Sequence, residues 1–139
     1  MEEKHKKILD EVLDEIEAAL KDLRGTVAHQ RRLAFALSLG AITLIESYLS
    51  EKEILKKGFQ INHGWFKKKK ENVKNLISKS LISPIENLEN IDSILDKIFI
   101  LESERNEIAY GKSVSEEKLK EKINLFFELK KEIEDEPKN

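Results

Sequence analysis

An uncharged stretch in the second predicted helix constrains the fold more than any other feature of this chain. Apolar periodicity predicts that helix from Thr26 to about Leu49, and no residue from Leu33 to Ile45 carries a charge. A helix that is apolar on all sides has to be buried on most of them. The stretch is too short to cross a bilayer, which needs about 20 apolar residues. It therefore predicts the central helix of a bundle, and no membrane is expected as a partner.

Small residues in the same helix would allow another helix to approach closely. Gly40 and three alanines lie within or next to the uncharged stretch: Ala34, Ala36 and Ala41. Close approach would serve either packing inside the bundle or a contact between two copies of the chain. Both uses remain open from the sequence.

Four further helices are predicted on either side of this one. They run from about Glu3 to Leu23, from Trp65 to Ser78, from Ser83-Pro84 to about Tyr110, and from Ser115 to about Ile133. A hitch at Asn90 in the third of these remains open. Only five Gly and two Pro interrupt the chain, as is typical of helical bundles. We predict one all-α domain over 1–139, an up-and-down bundle of four to five antiparallel helices with a frayed tail over 134–139.

Arg105 is a charge at a position where the helical pattern calls for an apolar side chain. Steps of three and four residues connect it to an otherwise aliphatic stripe: Ile91, Ile94, Ile98, Leu101 and Ile108. A guanidinium on such a face has to be paired with an acid or to face a groove. Glu46 is the expected partner, because it is the only charge between Leu33 and Ser50; Glu102, three residues before Arg105, competes with it.

The end of this predicted helix resembles the signature of the HEPN superfamily. The matching string is Arg105-Asn106-Glu107-Ile108-Ala109-Tyr110-Gly111, followed by a helix start at Ser115-Glu116-Glu117. The resemblance implies a small all-α homodimer, often encoded beside a minimal nucleotidyltransferase in toxin–antitoxin or defence modules. In ribonucleases of that family an Arg and a His form the catalytic site. The resemblance thus assigns the site to Arg105 and Tyr110, with Asn106 supporting it.

Tyr110 stands where the family has His, and this bears on whether the protein is an enzyme. A phenol has a pKa of about 10, so at neutral pH it is a poor substitute for a histidine base. It can still donate a hydrogen bond to phosphate or stack on a base. Binding of RNA or a nucleotide is therefore expected to survive the substitution better than catalysis. Metal-independent endoribonuclease activity remains open, and so does a purely structural Arg105 tied to a carboxylate.

A basic segment between the second and fourth helices gives a second candidate surface. From Lys52 to Lys79 there are nine Lys and two Glu, which gives +7 in a chain whose net charge is −2. Lys67 and Lys68, next to Trp65 and Phe66, are the candidate contacts to an RNA backbone. The alternative is a solvated lysine-rich surface.

Other kinds of site receive no support from the sequence. The three His residues are far apart, and there is no Cys and no glycine-rich phosphate loop, so we expect neither a metal nor a cofactor. The N-terminus has no apolar signal sequence, which favours the cytoplasm. The sequence thus favours RNA or nucleotide binding at an Arg105–Tyr110 groove. The alternative is a non-catalytic helical module that docks on a partner such as a nucleotidyltransferase.

Overall fold

The protein is an all-α bundle, as predicted. The computed structural model describes residues 1–52, 54–56 and 60–135. The six α-helices in this part are α1 (Glu3–Lys21), α2 (Gln30–Glu51), α3 (Lys70–Ser78), α4 (Ile91–Ser103), α5 (Arg105–Tyr110) and α6 (Glu116–Glu134). Helix α2 extends two residues beyond its predicted end, and most of the predicted frayed tail lies outside the described residues.

Helix α2 is the centre of the bundle and contacts α1, α4, α5 and α6. Its close approaches are made within the chain. A Cβ on Gly40 would lie 2.6 Å from the Phe126 ring of α6 and 3.0 Å from a Val12 methyl of α1. The stretch from Thr26 to Glu51 is long and apolar enough to cross a membrane, but 72% of its most apolar window is buried in the bundle. Burial of this kind is what a core helix of a soluble protein shows.

The fourth predicted helix is divided into three pieces in the structure. The strong start signal at Ser83-Pro84 gives only a single 3₁₀ turn, Ile85–Asn87, and α4 begins at Ile91. Between them Leu88 is extended, which lets both Ile85 and Leu88 reach the core. A second break falls at Glu104, so that Arg105 is the first residue of α5. The break before α4 falls at Asn90, where a hitch was left open, whereas the prediction that the helix continues from there to Tyr110 is wrong.

The first residues of α2 hold the end of α5 in place. The buried Gln30 amide donates to the carbonyls of Ile108 (2.9 Å) and Lys112 (3.1 Å) and accepts from the Val114 N–H at 3.0 Å. Arg31 donates to the Ala109 carbonyl at 2.6 Å. A helix as short as α5 has little stability of its own, so these contacts fix its position.

Gly111 ends α5, but not in the left-handed conformation expected of a helix terminator. Its φ is −89°, which most residues can adopt. A Cβ there would lie 2.4 Å from the Glu107 carbonyl oxygen, so the close approach of the backbone is what requires glycine.

Helix α6 begins as the sequence predicts. The Ser115 hydroxyl accepts from the Lys118 N–H at 3.1 Å, which is a standard N-cap. Its neighbour Glu116 accepts from the backbone N–H groups of Thr26 (2.8 Å) and Val27 (3.1 Å). These bonds, the one from Thr26 first, lower the pKa of Glu116 and connect the start of α6 to the turn before α2.

Candidate functional site

A cleft lies where the break between α4 and α5 faces the segment that leads to α3. Its volume is about 440 Å³, within the range of small-ligand sites. The lining residues are His63, Gly64, Phe66, Lys67, Glu102, Ser103, Arg105 and Asn106. The cleft therefore combines a histidine, two cations, a carboxylate and an amide.

Arg105 enters this cleft without an acidic partner among the described residues. Its guanidinium carbon lies 5.4 Å from the centroid of the Phe35 ring, a cation–π contact. Its Nε is buried and has no hydrogen-bond partner, and none of the described carboxylates forms an ion pair with it. A buried guanidinium nitrogen normally has a partner. The planar fork of Arg105 is thus held against an aromatic ring where it lines the cleft, and none of the described carboxylates neutralises its charge.

Glu46 does not pair with Arg105 in the structure. Its Oε1 accepts from the Ile61 N–H at 2.7 Å, and its Oε2 lies 3.6 Å from His5 Nε2. The backbone N–H of Ile61 needs a partner because Ile61 itself is buried, and Glu46 supplies one. Glu46 therefore supports the cleft indirectly, by fixing the segment that leads to His63.

Glu102 contacts a histidine and a serine instead of Arg105. Its Oε1 accepts from Ser38 Oγ at 2.6 Å and lies 2.9 Å from His63 Nδ1. The two donors are themselves 3.2 Å apart. The Glu102 side chain is only 5% exposed whereas that of His63 is 36% exposed, so the carboxylate is shielded and the imidazole can be reached from the cleft.

Local contacts fix the segment that carries His63. The Asn62 side chain accepts from the Gly64 N–H at 2.7 Å and starts the 3₁₀ turn His63–Lys67. Phe66 in this turn is buried and packs edge-to-face on Phe99 of α4, with ring centroids 5.2 Å apart. The turn is therefore anchored to the same helix that carries Glu102.

The other predicted site residues lie at different distances from this cleft. Asn106 and Lys67 line it and are exposed. Lys68 is exposed but is not among the lining residues. Tyr110 is 72% exposed and is also outside the lining; it contacts Phe35 edge-to-face at 5.8 Å. Tyr110 is connected to Arg105 through the Phe35 ring that both contact.

The basic segment is partly neutralised by α4. Lys70 lies 2.8 Å from Asp96, which raises the pKa of Lys70, and Lys74 donates to Asp92 at 3.0 Å, which lowers the pKa of Asp92. Lys67, in contrast, has no acidic partner among the described residues and faces the cleft. The charge that an anion would meet near the cleft thus comes chiefly from Lys67 and Arg105.

Two residues of this arrangement were missed as site residues in the sequence analysis. His63 was considered only as one of three His residues that lie far apart in the sequence, and Ser38 only as part of the uncharged stretch of the second helix. The available signal was that Ser38 is a polar residue inside a largely apolar helical stretch and that Glu102 follows the apolar run from Ile98 to Leu101. Nothing local indicates that a loop histidine reaches them, because this contact spans 39 residues between His63 and Glu102.

No group of His, Cys, Asp and Glu in the described part of the chain could hold a metal ion. The chain matches no family model, no curated protein and no solved structure.

Proposed function

We propose that this protein binds RNA through a backbone phosphate held by Arg105 in the cleft. The single observation that carries the proposal is the guanidinium of Arg105, which has a buried Nε without a partner and lies against an aromatic ring at the cleft. A guanidinium fork matches two phosphate oxygens, and such charge-assisted bonds are short and strong.

The surroundings of Arg105 favour an RNA chain over an isolated anion. Lys67 adds a second positive charge in the cleft, and Asn106 adds an exposed amide that can contact a base edge or a ribose hydroxyl. Tyr110 is exposed beside Phe35 and offers a face on which a flanking base could stack. This extends the expected Arg105–Asn106–Tyr110 site by Lys67.

The wider assignment rests on the HEPN resemblance of residues 105–111 and 115–117. It makes the protein a cytoplasmic homodimer from a toxin–antitoxin or defence module, with a minimal nucleotidyltransferase as its partner. RNA is the ligand that fits both this resemblance and the unpaired guanidinium.

The test is fluorescence anisotropy with a labelled single-stranded RNA and three proteins: wild type, Arg105→Ala and Arg24→Ala. Arg24 is a matched control because it is exposed and pairs with Asp22. A hydrogen bond to a charged group is worth about 1.5–3 kcal/mol, so we expect Arg105→Ala to weaken binding roughly 10- to 100-fold. Arg24→Ala should bind as wild type does.

Binding should also weaken with rising salt, because phosphate contacts release counterions. Circular dichroism has to show that Arg105→Ala is folded, which we expect because the side chain gives up no hydrogen bond or ion pair among the described residues. Equal binding by the two variants would contradict the proposal.

The alternative is a docking module without a nucleic-acid ligand. It is favoured by an exposed apolar surface formed by Phe35 (39% exposed), Leu39 (41%) and Tyr110 (72%). Such a surface is typical of a contact with another protein. Wild-type protein that is folded but does not bind RNA would favour this function.

A further inference from the structure

We infer that His63 is the general base of an RNA-cleaving site in the same cleft, oriented by Glu102 and Ser38. This inference rests on the proposed function, since Arg105 has to hold the phosphate. It goes beyond it by assigning a reaction and by placing the base on a different segment from the Arg105 helix.

Glu102 fixes the orientation of the His63 imidazole. Nδ1 of His63 lies 2.9 Å from Glu102 Oε1, so the proton of a neutral imidazole resides on Nδ1 and is donated to the carboxylate. Nε2 then carries the lone pair, and it forms no hydrogen bond with any residue that the structure describes. A carboxylate that fixes the tautomer in this way is what a catalytic histidine needs.

The Glu102 carboxylate is itself held in place by Ser38. Glu102 is nearly fully buried and accepts a hydrogen bond from Ser38, itself 1% exposed, at 2.6 Å. The Ser38 bond fixes the carboxylate from the side of α2 while His63 binds the same oxygen. A buried carboxylate with two donors is held in one geometry, so His63 is held as well.

His63 also lies in the same cleft as the proposed phosphate-binding arginine. His63 and Arg105 line one cleft together with Lys67, and the four charged or titratable side chains there are His63, Lys67, Glu102 and Arg105. A phosphate on Arg105 would bring the neighbouring ribose into the same cleft as the exposed edge of the imidazole. Tyr110 lies outside the lining, so His63 is the better placed of the two for proton transfer.

The reaction is an internal transesterification. Nε2 of His63 takes the proton of a ribose 2′-hydroxyl while the 2′-oxygen forms a bond to phosphorus. The bond from phosphorus to the 5′-oxygen breaks, and that oxygen takes a proton from water; the hydroxide formed is neutralised by the proton that His63 gives up. Arg105 and Lys67 stabilise the charge on the phosphoryl oxygens. The products are a 2′,3′-cyclic phosphate and a 5′-hydroxyl.

The experiment follows cleavage and binding of one labelled single-stranded RNA in parallel, without added metal. The proteins are wild type, His63→Ala, His63→Gln and Gln60→Ala, an exposed control in the same segment. Loss of a general base reduces rates by about 10²- to 10⁴-fold. We expect that loss in both His63 variants with unchanged RNA affinity, wild-type rates in Gln60→Ala, and partial rescue of His63→Ala by free imidazole. A single-stranded DNA of the corresponding sequence, which lacks the 2′-hydroxyl, should bind without being cleaved.

The outcomes separate the two proposals. Wild-type protein that binds RNA through Arg105 but does not cleave it would overturn the role of His63 and leave RNA binding intact. Cleavage at the wild-type rate by folded His63→Gln, or no rescue by imidazole in folded His63→Ala, would also overturn it. If wild type does not bind RNA, both proposals fail.

Discussion

Replacing Gly40 by alanine tests the packing at the centre of the bundle. The new Cβ would lie 2.6 Å from Cε1 of Phe126, roughly 1 Å closer than carbon atoms prefer. Phe126 is fully buried, so its ring cannot move out into solvent. Overpacking of this kind costs about 1–3 kcal/mol, while Gly to Ala in a helix gains about 1 kcal/mol. Because the new Cβ would meet both the buried Phe126 ring and a Val12 methyl, the upper part of that cost, about 2–3 kcal/mol, applies. We therefore expect a net destabilisation of about 1–2 kcal/mol.

The assay is thermal and urea unfolding of Gly40→Ala beside the wild type. The expected loss corresponds to a fall in Tm of roughly 3–8 °C for a chain of this size. Phe126→Leu provides the control background, because leucine lacks the ring atoms that clash; there Gly40→Ala should be neutral or stabilising relative to Phe126→Leu alone. If Gly40→Ala in the otherwise native chain is as stable as wild type, α6 does not pack on Gly40 as described.

Two further predictions concern α6. Ser115→Ala removes the N-cap and should cost about 1 kcal/mol in urea unfolding, whereas Ser113→Ala, exposed and outside the cap, should cost nothing measurable. Glu104 forms an ion pair with Lys118 at 2.7 Å and accepts a hydrogen bond from Lys122 at 2.9 Å; these contacts, Lys118 first, lower the pKa of Glu104 below 4.5. Its stabilisation is thus present above pH 4.5 and lost as pH falls through the lower folded-state pKa. Glu104→Gln should be about 1 kcal/mol less stable than wild type at pH 7 and equally stable near pH 2; a constant difference would contradict this.

The sequence was sufficient for the fold class and for the role of α2. Apolar residues at helical spacing predict which helix faces are buried, and the uncharged stretch from Leu33 to Ile45 predicts that α2 is buried on most sides. Both predictions need only the residue types. The breaks at Leu88 and Glu104 were not predictable in the same way. The apolar spacing from Ile91 through Ile108 continues across Glu104, because both pieces bury the same face.

The site was predictable in its residues more than in its contacts. Arg105 was identified because it interrupts an apolar stripe, but its partner was misassigned. In the sequence, Glu46 and Glu102 were both candidate partners of Arg105. The tertiary structure shows that Glu46 contacts Ile61 and His5 instead. Glu102 contacts Ser38 and His63. Such pairings depend on where a loop crosses the bundle, and periodicity within a helix carries no information about that.

The hydrogen bonds between Gln30 and the end of α5 have a consequence for synthesis of the chain on the ribosome. The side-chain oxygen of Gln30 accepts its hydrogen bond from the Val114 N–H, which lies 84 residues further along the chain. Helices α1 and α2 therefore emerge with a polar group destined for burial that has no final partner until most of the chain has been made. The short helix bearing Arg105 is fixed only after residues 108 and 112 have been made, since the same amide donates to their carbonyls. A nascent chain stalled before Ile108 would already contain Arg105, His63 and Glu102, yet the helix that carries Arg105 would lack its contacts with Gln30 and Arg31.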